Sequence, residues 1–261
     1  MNILYVVPSY NRADGVTTLN YLSKAKMYVS PQDYDNYIKC NPKHADRIIK
    51  VPEGVQGKGK AHINNWFLDN LWEDNVDGIM IIDDDVATLM GHSLNGTKSD
   101  YAVDEELFYQ ICEDFTLLAK EWGCGMWSFG LNSDRFSYIP YSPFKTHSYL
   151  DGGLQGFCKK DNLRYDEALT VKEDVDMFLQ QLQKYHKALR CDKYYWKKKS
   201  FEGTGGSQEF RKDNAEKKQF QMMQKKWWSS IVRPNRPKSE KSNTIRTLGG
   251  AIKLNIPLDG I

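Results

Sequence analysis

The residues of this chain that could do chemistry gather at three points. Asp83-Asp84-Asp85 follow directly on the apolar run Gly78–Ile82. Glu173 and Asp174 open a segment of helical periodicity, and Lys58 and Lys60 stand in the glycine-rich stretch GKGKAHINN, Gly57 to Asn65. Three adjacent carboxylates repel one another, and burial raises the cost. A divalent cation removes that cost, and hard carboxylate oxygens suit Mg²⁺ or Mn²⁺. Few protein ligands on such an ion leave positions open for a diphosphate. The plain alternatives are an exposed turn for the aspartates, favourable dipole charges at a helix start for Glu173 and Asp174, and solvated side chains for the lysines.

These groups need elements to hold them. Ile3–Val7 is a β-branched and aliphatic run stopped by Pro8, which predicts a buried strand entering the loop Ser9–Arg12. Gly78–Ile82 is apolar without alternation, as a strand covered on both faces of a parallel sheet would be. Ligands of open parallel sheets sit beyond the carboxyl ends of strands. Both Ser9–Arg12 and Asp83–Asp85 fall there. Further strands are expected at 47–51, 127–131 and 152–159. Helices are expected over 17–26, after Gly59 (Ile63, Trp66, Phe67, Leu71), from an Asp104 cap to Gly123, over 173–186 and over 210–231. The stretch 132–150 reads as irregular. Strands alternating with helices predict an α/β fold with a mainly parallel, twisted sheet flanked by helices.

The 261 residues are 40% hydrophobic and 27% charged, enough for a core without disulfides or structural metals. No apolar run approaches the roughly 20 residues of a membrane span, and the N-terminus does not read as a signal peptide. Five cysteines form no CxxC pair, so a zinc site is not expected. They are read as reduced thiols of a cytoplasm, the host's if the chain is viral. The net charge of +2 conceals an asymmetry: residues 193–246 hold 15 Lys and Arg against 5 Asp and Glu, and the remainder 21 against 29. An acidic body with a basic face suits a polyanion; a solvated lysine-rich helix is the alternative. We therefore expect a catalytic core over 1–192 and a basic C-terminal helical extension over 193–261, packed on the core.

Four features occur in order: VPSYNR (Val7–Arg12), GKGKAHINN, IIDDD (Ile81–Asp85), and GGLQGF (Gly152–Phe157) followed by KED (Lys172–Asp174). Over about residues 1–190 this set resembles the GT-A glycosyltransferases, especially the family-2-like inverting branch. The resemblance implies a Rossmann-like GT-A sheet and a nucleotide-sugar donor, most often a UDP-sugar. It places Pro8, Ser9, Tyr10, Asn11 and Arg12 on the nucleoside, with Lys58, Lys60 and Asn64 nearby; His62 stands near the position usually held by arginine. It makes Asp83 and Asp85 the metal-binding pair, with Asp84 beside the donor. Gly153 and Gln155 would meet the sugar, Asp174 would be the general base, and Glu173 would support the acceptor. The glycines at 203–206 would close over the donor. The QxxRW motif of processive members is absent, since Gln224 is out of register with Trp227.

More narrowly, IIDDDV, the GGLQGF…KEDVDMFLQ block and the basic C-terminal part resemble the phage-type glycosyltransferases associated with TET/JBP dioxygenases, which act on hydroxymethylated pyrimidines in DNA. That implies a 5-hydroxymethylated acceptor, foremost 5-hydroxymethylcytosine. The acceptor-side candidates are then Lys197, Lys198, Lys199, Arg211, Lys225, Arg233 and Arg236 for phosphates and Trp228 for a base. Trp227 shares a face with Phe220 and Met223 and is assigned to the core. Competing readings are a GT-A enzyme acting on a cell-surface glycan or protein, a sugar-phosphate nucleotidylyltransferase, and a non-catalytic nucleic-acid-binding module. The second lacks its glycine-rich first loop here, and the third leaves both acidic clusters without a purpose.

Overall fold

The computed structural model describes residues 1–93, 100–130, 138–150, 152–198, 206–211, 214–234 and 252–256. Among these, ten strands form one sheet: β1 (Ile3–Pro8), β2 (Lys26–Val29), β3 (Ile48–Lys50), β4 (Gly78–Ile82), β5 (Val86–Gly91), β6 (Tyr101–Val103), β7 (Met126–Gly130), β8 (Phe144–Lys145), β9 (Leu154–Phe157) and β10 (Leu189–Lys198). Their order is β3-β2-β1-β4-β9-β7-β10-β5-β6, with β8 on the side of β10. Strands β3, β2, β1, β4, β7, β10 and β6 run one way, and β9, β5 and β8 run against them. The sheet is mixed and mostly parallel, as expected.

Strand β4 shows why its sequence lacks alternation. All five of its residues are buried. Met80 and Ile82 face one core, Ile79 and Ile81 the other. The first core holds α1 (Thr18–Tyr21), α2 (Tyr34–Cys40) and α4 (Glu105–Glu121) against the sheet. The second holds α3 (Lys60–Asn70), α5 (Glu173–Tyr185) and α6 (Ala215–Ile231). Asp104 caps α4 by accepting the amide of Leu107, and Gly123 beyond its end takes φ +73°. A small hairpin, β11 (Val232–Pro234) with β12 (Ile252–Leu254), follows α6. No described helix is long and apolar enough to cross a membrane.

The structure corrects three expectations. The helix expected over 17–26 is a single turn, because residues 26–29 pair between β1 and β3 as β2. The division expected at 192/193 falls inside β10, which continues to Lys198 within the sheet, so the lysines of KYYWKK begin on a core strand. The basic helix starts at Ala215, preceded by a 3-10 turn at Gly206–Arg211.

Helix α6 is fastened to α5 by one buried carboxylate. Asp176, fully buried, accepts from Trp227 Nε1 at 2.7 Å and Gln180 Nε2 at 2.7 Å, and pairs with Lys226 at 2.9 Å. Trp227 is a core residue at 3% exposure, as its helix face predicted; Trp228 is 61% exposed and sits at φ +58° where α6 kinks.

Candidate active site

Because β1, β4 and β10 run the same way and β9 runs against them, the ends of β1, β4 and β10 and the start of β9 share one edge. A cavity of about 320 Å³ opens there. Pro8, Ser9, Tyr10 and Arg12 line it from the β1 loop, Gly57, Gly59 and Lys60 from the approach to α3, and Asp83, Asp84 and Asp85 from β4. Gly152 and Gly153 lead into β9, and Glu173 and Asp174 open α5. The sequence motifs, up to 166 positions apart in the chain for Pro8 and Asp174, therefore meet at one place.

Each aspartate has its own cationic or hydroxyl partner. Asp83 takes Lys60 at 2.5 Å on one oxygen and Lys198 at 2.6 Å on the other. Burial alone would raise its carboxyl, but the two ammonium groups outweigh burial and hold it well below the usual carboxylate range. Asp84 is deeply buried, which pushes it up to about 6 against the pull of Arg12 and Ser9. It accepts from the Ser9 hydroxyl, which also contacts the Tyr37 hydroxyl at 2.7 Å. Arg12 reaches Asp85 at 3.2 Å. Lys60 also donates to the Gly152 carbonyl at 2.8 Å, tying α3 to the entrance of β9.

The second acidic pair differs from the first. Glu173 is 8% exposed, and burial, followed by the neighbouring Asp174, pushes its carboxyl up to about 7. Its Oε2 is buried without a hydrogen-bond partner. Asp174 is half-buried; it accepts from the Tyr149 hydroxyl and from the Val175 amide at 2.7 Å. One fixed, hydrogen-bonded carboxylate beside a cavity is the arrangement a general base requires.

The residues also meet a test for a divalent cation. Asp85 Oδ1 is buried and lacks a hydrogen-bond partner, while Arg12 stands on the other oxygen of Asp85 and Lys60 and Lys198 hold the two oxygens of Asp83. Among the described residues no three His, Cys, Asp or Glu side chains converge on one point.

Several candidates lie elsewhere. Asn11, at φ +53°, donates to Glu209 at 3.1 Å and does not line the cavity. Lys58 is exposed beside it. Asn64 and Gln155 are buried beneath the cavity, where the Tyr165 hydroxyl donates to Gln155; sugar hydroxyls do not reach a side chain so covered. Lys198 and Arg211, expected on the acceptor side, line this cavity. Lys197, Lys225 and Arg233 are exposed on β10, α6 and β11. Lys199, Arg236 and the glycines at 203–205 lie outside the described residues. The spacing gave no sign of Gln56, Phe210 or Tyr149. Tyr149 sits in the Pro/Tyr/Ser-rich crossover, where no periodicity marks a functional side chain.

A second cavity, of about 800 Å³, adjoins the first and shares Val171, Asp174 and Arg211 with it. Its other walls are His147, Ser148, Tyr149, Lys172, Val175, Arg190 and residues 252 and 254–256.

Among solved structures, S. aureus TarS residues 1–349 in complex with UDP is similar at 13% identity and a TM-score of 0.46, over 75% of this chain and 60% of that one. Glucosyl-3-phosphoglycerate synthase from Mycobacterium tuberculosis, in complex with Mg²⁺ and UDP, is similar at 12% identity and a TM-score of 0.43, over 76% of this chain and 72% of that one. The chain thus spans about 60% of the length of the TarS fragment. Similarity this low bears on neither substrate nor mechanism. No protein of curated function matches the chain. The family model described as TET-Associated Glycosyltransferase matches residues 3–206, which takes in β1 to β10, Asp83–Asp85, Glu173 and Asp174. With the ordered motifs meeting at one sheet edge and that model spanning them, the chain belongs to the TET-associated glycosyltransferases.

Proposed function

We propose that the protein transfers a sugar, with inversion, from a UDP-sugar to the hydroxymethyl oxygen of a 5-hydroxymethylated pyrimidine in DNA, foremost 5-hydroxymethylcytosine. The observation that carries this reading is the meeting of Asp83–Asp85 with Glu173-Asp174 around one cavity, in a chain of this family. The loop Pro8–Arg12 forms the nucleoside wall, and Lys60, Lys198 and Arg211 lie where the diphosphate would be. Asp83 and Asp85 would hold Mg²⁺ or Mn²⁺, which when bound supplies positive charge at the leaving diphosphate.

Asp174 accepts the proton of the acceptor hydroxyl as that oxygen bonds to the anomeric carbon. The bond from that carbon to the β-phosphate oxygen breaks, and UDP leaves with its electron pair. A positioned base of this kind contributes about 10²–10⁴-fold. Glu173, buried beside it, keeps water from the reacting carbon and limits the negative charge facing the diphosphate while it holds its proton. The exposed Lys225, Arg233 and Trp228 supply phosphate and base contacts for DNA.

The test is a transfer assay with a panel of UDP-sugars and Mn²⁺, on DNA with and without 5-hydroxymethylcytosine, with nucleosides weighed by mass spectrometry. A sugar mass gained by the hydroxymethylated nucleoside alone is the expected result. Donor hydrolysis without transfer would reject this acceptor and turn attention to glycans or proteins; no binding or hydrolysis would reject the donor site.

A further inference from the structure

The carboxylates proposed to hold the cation are already neutralised by the chain's own side chains. Each oxygen of Asp83 carries an ammonium, Lys60 on Oδ1 at 2.5 Å and Lys198 on Oδ2 at 2.6 Å. Arg12 stands 3.2 Å from Asp85 Oδ2 and 3.4 Å from Asp84 Oδ1. Asp85 Oδ1 is buried without a hydrogen-bond partner. Mg²⁺ or a similar ion binds a carboxylate oxygen at roughly 2.0–2.6 Å. With Lys198 on the same oxygen, ion and ammonium would lie within about 5 Å of each other. Like charges that close, in a site largely shielded from water, repel strongly. The two lysines are not held equally. Lys60 rises from the first turn of α3, is 21% exposed, and also donates to the Gly152 carbonyl at 2.8 Å. Lys198 ends β10, past a shift of register against β5 between Lys197 and Lys198, and is 36% exposed. Its flexible four-carbon stem lets the ammonium swing while the strand stays paired.

We infer that Lys198 is an exchangeable counter-ion: it occupies Asp83 Oδ2 until a divalent cation takes that oxygen together with Asp85 Oδ1, and it then passes to the diphosphate of the donor. The inference rests on the proposed donor site and adds how its charges are exchanged. Lys60 and Arg12 keep their places. Asp83 is thereby neutralised at every stage, by two ammonium groups in the free protein and by one ammonium and the ion once the donor is bound. Lys198 lines the donor cavity with Arg211, so its ammonium has an anion within the same cavity to move to. The exchange also couples the two ligands. The ion frees the ammonium, and the diphosphate gives that ammonium a new partner, so each ligand tightens the other. Lys198 is then a donor-binding residue, set apart from its neighbour Lys197, which is exposed and does not line the cavity.

Titration calorimetry on the full chain tests this, with Mn²⁺ and UDP as the probes. Lys198→Met keeps most of the stem and removes the charge. Without UDP it should bind Mn²⁺ about tenfold or more tighter than the wild type, because no ammonium has to leave Asp83 Oδ2. In saturating Mn²⁺ it should bind UDP about tenfold more weakly, because the diphosphate has lost a cationic partner. Lys197→Met removes the same charge one residue away and should change neither affinity appreciably. Lys198→Gln is a second neutral variant, for use where Lys198→Met has lost the wild-type near-ultraviolet circular dichroism. Unchanged or weaker Mn²⁺ binding by the neutral variants, an equal gain in Lys197→Met, or unchanged UDP affinity in saturating Mn²⁺ overturns the exchange while leaving the proposed function standing. If the wild-type protein binds no UDP with Mn²⁺ present, the donor site itself fails and this inference falls with it.

Discussion

Replacing Glu173 by glutamine should stabilise the protein, but only at neutral pH and above. The side chain is 8% exposed, one carboxylate oxygen has no partner, and Asp174 and Asp83 add negative charge nearby. Its folded-state value is raised from 4.5 to about 7. Below 4.5 the group is protonated in both folded and unfolded chains and costs nothing. Between 4.5 and 7 the unfolded chain ionises while the folded one resists, so stability falls as pH rises. Above 7 the whole cost is present. At ~1.4 kcal/mol per pH unit, that interval amounts to about 3 kcal/mol. For a chain of this size it corresponds to roughly 6–12 °C in Tm. Glutamine keeps the shape and carries no charge. Differential scanning calorimetry at pH 4.5 and 8.5, in chelator and without donor, should give nearly equal Tm values for the two proteins at the lower pH and a higher Tm for Glu173→Gln at the upper. Asp84 titrates in the same range but is present in both proteins and cancels. A difference that is equal at the two pH values, or a less stable variant at pH 8.5, would refute the reasoning.

Four further outcomes are expected. Asp174→Asn should lower transfer by about 10²–10⁴-fold or more with UDP and DNA affinities retained; loss of binding would show that Asp174 is a structural residue. Asp85→Ala should abolish the difference in UDP affinity between Mn²⁺ and chelator, and equal affinities in the wild type would remove the cation from the proposal. Gly152→Ala would place a Cβ 2.8 Å from Asp174 Oδ2, so the carboxylate must move; kcat should fall while UDP affinity changes little, and an unaffected kcat would mean that the position of Asp174 is not critical. Trp227→Phe removes a 2.7 Å donor to the buried Asp176 and should cost about 1.5–3 kcal/mol in urea unfolding.

The residues that line the smaller cavity were more legible in the sequence than those around the larger one. Strands buried on both faces announce themselves, so β1 and β4 and the loops at their carboxyl ends were legible, and with them Ser9, Arg12 and the three aspartates. Lys60 came from the family resemblance, and Gly153 from the glycine run at 152–156. Asn64 and Gln155 show the limit of such reading: polar residues next to a motif can point into the core as readily as into a cavity, and residue type alone does not distinguish the two. Lys198 was assigned to the acceptor side with its neighbours, because the alternation of KYYWKK is masked by lysines at both ends; only the pairing of β10 with β7 and β5 brings it to Asp83. Tyr149 comes from an irregular crossover, and its place beside Asp174 is decided by tertiary packing.

Asp174 and Asp176 stand two residues apart on one helix, the first facing the substrates and the second holding Trp227 and Lys226. The consequence is mechanical. A load applied to α6 is transmitted within half a helical turn to Asp174, the carboxylate proposed to take the proton. A chain cut at residue 192 would interrupt β10 and strip Trp227 and Lys226 from Asp176. Helices α5 and α6 therefore form one mechanical unit, and exchanging either alone would part Asp176 from Trp227 and Lys226.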